Sequence, residues 1–428
     1  MAGPVVIVEP SRDTPLVWFE IAIRGGASAD PVGVEGLHRH AALLARRGAG
    51  TRDRTALDDR LDSLGAMLDV GTSRDAISMS ALVLSRHLDA VLELAADILA
   101  EPQFSEEEHA RLLRETPQVL DEIRDDDHAL ATRYFDWLCS PGHPYGRTAL
   151  GTEASIARIE RAAAIDLWKR EVTADNLVIG LAGDIDDATA ARFVTRLTER
   201  LPRGPGAPRH VAADTIAAPR GRRLILVDKS DRTQAQLRIG HLSARYGHPD
   251  TAALTVAEAI FGGLFSSRLM QEIRVKRGWS YGASCALRRA RLPHWFEIAT
   301  AAGIEVAGSA VELTLQLLAD YAAHGPTDDE FDFARSYLVG AMPFHVATAR
   351  QRMNLAVRDA VFELAAGYTA NLPEALAQLS ASDVRAACAR HLRPEDAVTV
   401  AVTTAEHAKK ALAAANAGSM TIVKHDEY

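Results

Sequence analysis

The stretches VEPSRDTPLVWFEIAIRGG (Val8–Gly26) and VDKSDRTQAQLRIGHLSAR (Val227–Arg245) follow one pattern, in which an apolar strand, a polar turn and a second strand succeed one another. Two other features recur at the same separation. A helix opens with a capping box at FSEEEHARLL and at PTDDEFDFAR, and a helix leads into a buried strand at KREVTADNLVIGLAG and at ARHLRPEDAVTVAVT. Because all three pairs are about 220 residues apart, the sequence predicts two copies of one domain.

Between the copies lies a segment rich in proline, glycine and alanine, LPRGPGAPRHVAADTIAAPRGRR (Leu201–Arg223), without a helical or strand period. This composition is typical of a linker. We therefore predict an N-terminal domain over residues 1–200, a linker over 201–222 and a C-terminal domain over 223–428.

The periodicity within each copy predicts both strands and helices. Predicted helices include Ser105–Leu138 and Thr327–Ala341, and predicted strands include Asp75–Val83 and Trp295–Ala301. Helices packed on one face of a mostly antiparallel sheet define the α+β class, which is the fold predicted for both domains.

The composition limits the classes of function. The chain has 428 residues, of which 47% are hydrophobic, and this suffices for packed cores. Its net charge of −9 is spread along the chain without a basic block, so a nucleic-acid partner is not expected. No apolar run reaches membrane-spanning length and no export signal is evident, so we expect no membrane partner and a cytoplasmic location, or a periplasmic one if a signal was removed.

The segment GLHRHAALLARRG (Gly36–Gly48) is predicted to form a helix with two histidines near its start. Successive helical residues turn by about 100°, so His38 and His40 point in nearly opposite directions and cannot bind one metal ion together. A zinc pair on a helix needs imidazoles four residues apart, whereas Ala42 and Leu44 follow the two histidines at that distance. Spacing alone therefore predicts an ordinary amphipathic helix.

Two tandem α+β domains, the Gly-Leu helix start and the following segment LDDRLDSLGAMLD resemble the M16 family of zinc peptidases, the pitrilysin and mitochondrial processing peptidase group, over essentially the whole chain. In catalytic members the first helix carries the inverse zinc motif H-x-x-E-H, which begins three residues after the glycine that matches Gly36. The motif positions of this chain are Arg39, Ala42 and Leu43. The resemblance thus implies that the zinc histidines and the general-base glutamate are both missing.

The segment RETPQVLDEI holds Glu115 and, seven residues later, Glu122, which match the family's supporting and zinc-binding glutamates in spacing. A catalytic zinc needs three protein ligands and a water molecule, so Glu122 alone cannot hold it. Both glutamates also fit the charged face of a long helix. A different site built from His38, Glu122 and a distant histidine stays open as an alternative.

The second copy contains FGGLFSSRLMQEIRVKRGWSYGAS (Phe261–Ser284), which resembles the family segment G-G-x-x-S-R-L…R-x-K-x-x-G-x-x-Y. Gly278 after two basic residues predicts a helix end with a left-handed glycine, so Arg274 is expected on the last helical turn and Tyr281 on the next strand. The resemblance implies that Arg274 and Tyr281 reach a zinc site across a closed chamber and donate hydrogen bonds to the substrate carbonyl or backbone.

The missing zinc motif and the retained arginine and tyrosine imply a division of labour known from paired bacterial members of the family. This chain resembles the non-catalytic subunit of an M16B heterodimer, inactive alone, without a cofactor of its own, whose partner carries H-x-x-E-H and the zinc. The expected substrate is a peptide, for example a precursor such as that of pyrroloquinoline quinone. A purely structural scaffold subunit and a peptide-binding module without cleavage stay open as alternatives.

Overall fold

The computed structural model describes residues 3–139, 141–204, 216 and 219–427, so much of the predicted linker lies outside the described residues. The chain forms two compact units, and each takes one segment from the other half of the sequence. Unit 1 consists of Met1–Leu120, Thr148–Val211 and Pro343–Ala370, and unit 2 of Asp121–Arg147, Ala212–Met342 and Asn371–Tyr428. The domain boundaries at residues 200 and 223 stay a sequence-based prediction.

Unit 1 is built on a five-stranded sheet in the order β1-β7-β2-β6-β5. The first pair is parallel and the other three pairs are antiparallel. The strands of this unit, including a short separate hairpin of β3 and β4, are β1 (Val5–Pro10), β2 (Leu16–Arg24), β3 (Gly48–Ala49), β4 (Arg52–Asp53), β5 (Met67–Thr72), β6 (Ala76–Leu84) and β7 (Leu177–Gly183).

Helices cover the unit 1 sheet on one face and bury the main core, which includes Phe19, Ile21 and Ile179. The helices in this part of the chain are α1 (Leu37–Ala45), α2 (Arg54–Leu64), α3 (Leu88–Ala100), α4 (Glu106–Asp125), α6 (Glu153–Ile156), α7 (Arg161–Glu171), α8 (Asp187–Thr198) and α12 (Ala349–Val361). Of these, α12 comes from the second half of the sequence and packs on the opposite face of the sheet, against β7, β1 and β2.

The close approach of α12 depends on a glycine in β7. A Cβ atom at Gly180 would lie 2.3 Å from the sulfur of Met353 and 2.5 Å from a methyl carbon of Val357. Distances this short are incompatible with a side chain, so any larger residue would force α12 away from the sheet.

Unit 2 repeats this sheet and adds one strand at its edge, in the order β10-β11-β9-β12-β8-β13. Its parallel β8–β12 pair corresponds to β1–β7, and its antiparallel series β12-β9-β11-β10 corresponds to β7-β2-β6-β5. The strands are β8 (Arg223–Asp228), β9 (Gln234–Leu242), β10 (Ala283–Leu287), β11 (Trp295–Gly303), β12 (Val398–Thr403) and β13 (Ser419–Lys424).

The helices of unit 2 bury a second core around Leu237, Phe261 and Ile298. They are α5 (Asp127–Cys139), α9 (Thr251–Glu258), α10 (Ala307–His324), α11 (Asp328–His345), α13 (Leu372–Gln378), α14 (Ala381–His391) and α15 (Ala405–Ala413). Here α5, from the first half of the sequence, packs against β9 and β12 as α12 does in unit 1. Two π-helical turns follow α9, at Ala259–Gly263 and Met270–Val275.

The predicted α+β class with two tandem copies is confirmed, and one predicted helix is corrected. The segment Ser105–Leu138 forms two helices, because the carboxylate of Asp126 accepts hydrogen bonds from the backbone of His128 (2.8 Å) and Ala129 (3.2 Å) and starts a new helix there. The predicted strands are present within one or two residues of their bounds, as β6 and β11. Among the described residues, no helix is long and apolar enough to cross a membrane.

Candidate functional site

The three positions that correspond to the zinc motif lie on α1 and offer no metal ligand. Ala42 is buried in the core of unit 1, and Leu43 packs against the same core. Arg39 is half-buried, and burial together with the charge of Arg47 lowers the pKa of its guanidinium. Because two of the three side chains are apolar and the third is cationic, this part of the helix cannot bind a divalent cation.

The two family glutamates both lie on α4, but they differ in their surroundings. Glu115 forms an ion pair with Arg47 at 2.5 Å and a longer one with Arg111 at 3.4 Å. The hydrogen bond from Arg47 lowers the pKa of Glu115. Glu122 is exposed two helical turns further on. The charge of Glu115 is therefore neutralised by Arg47, whereas Glu122 forms no ion pair with the described residues.

The histidines of α1 are buried and face different neighbours, as their spacing predicts. His38 Nδ1 lies 2.6 Å from Asp30, and its Nε2 lies 3.8 Å from Glu171. Burial alone would lower the pKa of His38, but the hydrogen bond with Asp30 and the charges of Asp30 and Glu171 raise it. Since Asp30 and Glu171 already surround the imidazole, the alternative site built from His38 and Glu122 has no support here.

His40 belongs to a second buried pair. Its Nε2 lies 2.8 Å from Nδ1 of His109 on α4, and the two rings meet edge to face. Burial, followed by the charges of His109, Arg39 and Arg47, lowers the pKa of His40 to about 3. Both rings are therefore neutral at pH 7, and one donates its N–H to the other.

Elsewhere in the described part of the chain, three potential metal ligands come together in unit 2. The ligand atoms of His248, Asp250 and His391 all lie within 4.8 Å of one another. However, Arg390 donates hydrogen bonds to both carboxylate oxygens of Asp250, at 3.0 and 3.1 Å, and His391 Nε2 lies 2.7 Å from the same carboxylate. This group is an ion-pair cluster that joins the start of α9 to the end of α14.

The predicted helix end in the second copy is present. Arg274 lies on the last turn of the π-helical segment Met270–Val275, and Gly278 has the left-handed φ of 64°. Hydrogen bonds from Gly278 N to Arg274 O and from Trp279 N to Ile273 O, both 3.0 Å, close the helix. π-Helical turns occur frequently at functional sites because they displace one side chain from the regular helical spacing.

The position of Tyr281 differs in detail from the prediction. Tyr281 lies in a bend two residues before β10 begins at Ala283, and not on the strand itself. The bend is held by Ser280, whose hydroxyl donates to Gly282 O (2.7 Å) and accepts from Gly282 N (3.2 Å). Outside the pleat of the sheet, the Tyr281 side chain is 91% exposed.

Arg274 and Tyr281 line one cleft of about 900 Å³ in unit 2. The guanidinium of Arg274 stacks over the exposed ring of Phe265 at 5.1 Å. Within the described residues, Arg274 has no ion pair and the Tyr281 hydroxyl has no hydrogen bond. Two strong donors therefore line an open cleft, and no acceptor from the described part of the chain binds them.

Other residues of this cleft were not singled out from the sequence. The walls also contain Gln234 and Gln236 of β9, Ser284 of β10, Trp279 and His128. Trp279 lies within the Gly-Trp-Ser-Tyr-Gly segment that contains Tyr281, and Gln234 and Gln236 lie on the same face of β9. These three residues could therefore have been indicated by their position in the sequence. His128 could not, because its place in unit 2 depends on the helix break at Asp126.

This duplicated α+β fold is that of a two-domain M16-type chain. The chain belongs to the peptidase M16 family. Residues 5–148 match the family described as insulinase (peptidase family M16), and residues 158–338 match the peptidase M16 inactive domain.

Individual relatives agree with this assignment. An uncharacterized zinc protease of Mycobacterium tuberculosis is 28% identical over 385 residues, which covers 88% of this chain and 84% of that protein. The non-peptidase homolog YmxG of Helicobacter pylori is 22% identical over 352 residues, covering 82% and 80%. The crystal structure of a peptidase M16 inactive domain from Pseudomonas fluorescens has the same fold, with a TM-score of 0.87, 24% identity and coverage of 94% and 95%.

Proposed function

We propose that this chain is the non-catalytic subunit of a heterodimeric M16 zinc peptidase. A partner of similar size supplies zinc and the H-x-x-E-H motif, and this chain supplies Arg274 and Tyr281 for the hydrolysis of a peptide. Two observations together carry the proposal. The cleft of unit 2 holds two donors, Arg274 and Tyr281, that have no protein acceptor among the described residues. In unit 1, the positions that resemble the zinc motif are occupied by Arg39, Ala42 and Leu43.

The chemistry of the two side chains suits this task. When a metal-bound water attacks a peptide carbonyl, negative charge develops on the carbonyl oxygen, and donors held near that oxygen lower the barrier. The guanidinium of Arg274 offers several N–H groups and a permanent charge, and the phenol of Tyr281 offers one O–H. The partner's zinc would polarise the same carbonyl and activate the water.

The first copy would then act mainly as a wall of the chamber and as a contact surface. Its motif positions are packed or cationic, and Glu115 is bound by Arg47. We accordingly propose that the isolated chain binds no cofactor at its degenerate motif and is inactive, with a peptide as substrate and no nucleic-acid or membrane partner. A cytoplasmic location stays part of this proposal.

Co-expression tests the proposal directly. The chain is produced with an M16 partner that carries H-x-x-E-H, and the mixture is analysed by size-exclusion chromatography with light scattering and by cleavage of peptide substrates. We expect a one-to-one complex that cleaves peptides, while each chain alone does not. Full activity of the partner alone would contradict the shared active site.

A non-enzymatic scaffold is the second candidate, and the name of the Helicobacter pylori relative, a non-peptidase homolog, favours it. A scaffold has no use for unengaged donors in a cleft, so replacement of Arg274 or Tyr281 would leave its assembly and its function unchanged. A complex that forms but never cleaves peptides, with any zinc-bearing partner, would support this candidate.

A further inference from the structure

The charge of the cleft that holds Arg274 and Tyr281 differs from that of the whole chain. The chain carries a net charge of −9. Among the described residues that line the cleft, none is an aspartate or glutamate, whereas two are arginines. The lining is otherwise made of neutral donors, small residues and aromatic rings. A cleft that lacks carboxylates in an otherwise acidic protein favours the binding of a ligand with negative or neutral charge.

Two acidic residues next to the cleft walls, Glu272 and Glu297, are each shared between two cations. Glu272, one turn before the end of the π-helical segment, pairs with both Lys276 and Arg277. The side-chain hydrogen bonds from these two cations lower the pKa of Glu272. Glu272 is therefore ionised and paired with these two cations, so it does not neutralise the charge of Arg274.

The buried side of the cleft repeats this arrangement. Glu297 on β11 pairs with Arg238, at 3.1 Å, and with Arg288. Arg238 is itself almost fully buried and donates further hydrogen bonds to backbone carbonyls of Leu237 (3.0 Å) and His128 (3.1 Å). Its charge is compensated within the protein, so Arg274 is the arginine of the lining that a ligand can pair with.

The neutral part of the lining supplies hydrogen-bond donors and acceptors from side chains. Gln234 and Gln236 project from alternate positions of β9, and Ser284 follows on β10. Amides and hydroxyls of this kind bind carbonyls and carboxylates of a ligand, but they give an ammonium or guanidinium group no ionic partner. A basic side chain that enters the cleft would lose water and meet Arg274.

We propose that this cleft selects peptides with an acidic side chain next to the bond that Arg274 and Tyr281 face, and that it rejects lysine and arginine there. The inference rests on the proposed function for the identity of the ligand as a peptide. For a partly hydrated cleft, one unpaired guanidinium should favour a carboxylate over an amide roughly three- to tenfold, and disfavour an ammonium by a similar factor.

The test measures binding by fluorescence anisotropy to the full chain and to its complex with a zinc-bearing partner whose motif glutamate is replaced by glutamine, so that no peptide is cleaved. The probes are labelled peptides that are identical except for a central Glu, Gln or Lys. We expect affinity to fall in that order, and the difference to shrink when salt is raised from about 0.05 M to about 0.5 M. Equal affinities, or a preference for Lys, would overturn the inference.

A charge placed in the lining makes the test specific to this cleft. Gln236→Glu should abolish the preference for Glu and bring the Lys peptide to equal or higher affinity. Gln316→Glu on the exposed face of α10 adds the same charge outside the cleft and should leave the order unchanged. If Gln236→Glu has no more effect than Gln316→Glu, the selection does not originate here.

The two proposals fail in distinguishable ways. A complex that cleaves peptides without regard to the central charge would overturn the acidic preference and leave the shared active site standing. Binding in the order Glu, Gln, Lys without cleavage by any complex would retain the preference and contradict the peptidase function.

Discussion

Replacement of Tyr281 by phenylalanine and of Arg274 by lysine should separate the proposed catalytic role of these side chains from their contribution to stability. The Tyr281 side chain is 91% exposed, and its hydroxyl has no hydrogen bond within the described part of the chain. Arg274 contacts the ring of Phe265 at 5.1 Å, and a lysine keeps the charge for that contact. Each substitution should therefore change the free energy of unfolding by about 0.5 kcal/mol or less, and Tm by about 2 °C or less.

The effect on catalysis should be far larger. If each side chain donates to the developing oxyanion, its loss removes about 3 kcal/mol of transition-state stabilisation, or roughly 100-fold in kcat. Lysine in place of Arg274 keeps the charge but loses the planar array of donors, so the loss there should be of the same order. The ground state changes little, and KM should stay within a few-fold of its original value.

The assay uses the purified heterodimer, with steady-state cleavage of a peptide, thermal unfolding and metal analysis of the complex recorded for each variant. Tyr337→Phe on α11 and Arg245→Lys are matched controls, because both parent residues are exposed and lie outside the cleft lining. Wild-type turnover by the Tyr281→Phe complex would refute an oxyanion contact. Equal losses of turnover in the controls would show that the effect is not specific.

Three other predictions use different measurements. Purified chain should hold no stoichiometric zinc at its degenerate motif, and one tightly bound zinc per chain that survives replacement of His391 by Gln would contradict this. Gly278→Ala should cost about 1 kcal/mol of stability because its φ of 64° is strained for alanine, while the added Cβ atom would meet no atom within 4 Å. Gly65→Ala is the matched control, because Gly65 has a φ of 59° and equally open surroundings and its replacement should cost the same. Only Gly278→Ala should reduce the activity of the complex. Since the pKa of His40 is lowered to about 3, its stabilising contribution is complete above pH 6.5 and is lost as the pH falls toward 3. Denaturation in urea at pH 7 and at pH 4.5 should therefore show a loss of stability that is about 2–3 kcal/mol smaller when His40 and His109 are both leucine. Buried His241, whose pKa is lowered to about 4, contributes to the loss in both proteins.

The sequence was most informative where a physical rule ties a pattern to a backbone shape. Gly278 after Lys276 and Arg277 predicted the helix end correctly, because only glycine takes a left-handed φ without strain. The capping box of Thr327 and Glu330 is likewise present, with both reciprocal hydrogen bonds at 2.8 and 3.2 Å. Such local signals need no knowledge of the rest of the fold.

Prediction failed where distant segments decide the outcome. The continuous helical periodicity of Ser105–Leu138 gives no sign that Asp126 starts a new helix, or that α5 then packs on the sheet of the other copy. Tyr281 was expected on a strand, but the length of β10 depends on its pairing with β11 across the sheet. The ion pair of Arg47 with Glu115 joins residues too far apart in sequence for spacing to indicate it.

The residues at the predicted motif positions of the first copy and the arginine and tyrosine of the second copy differ in their contribution to folding. In the first copy these positions and their neighbours belong to the stable structure, because Ala42 is buried in the core and Arg47 neutralises Glu115. A glutamate at position 42 would now have to bury a charge without a metal to compensate it, which is a large cost. In the second copy Arg274 and Tyr281 contribute almost nothing to packing. Their presence is therefore not required by folding, which is what the ligand-binding role proposed for their cleft predicts.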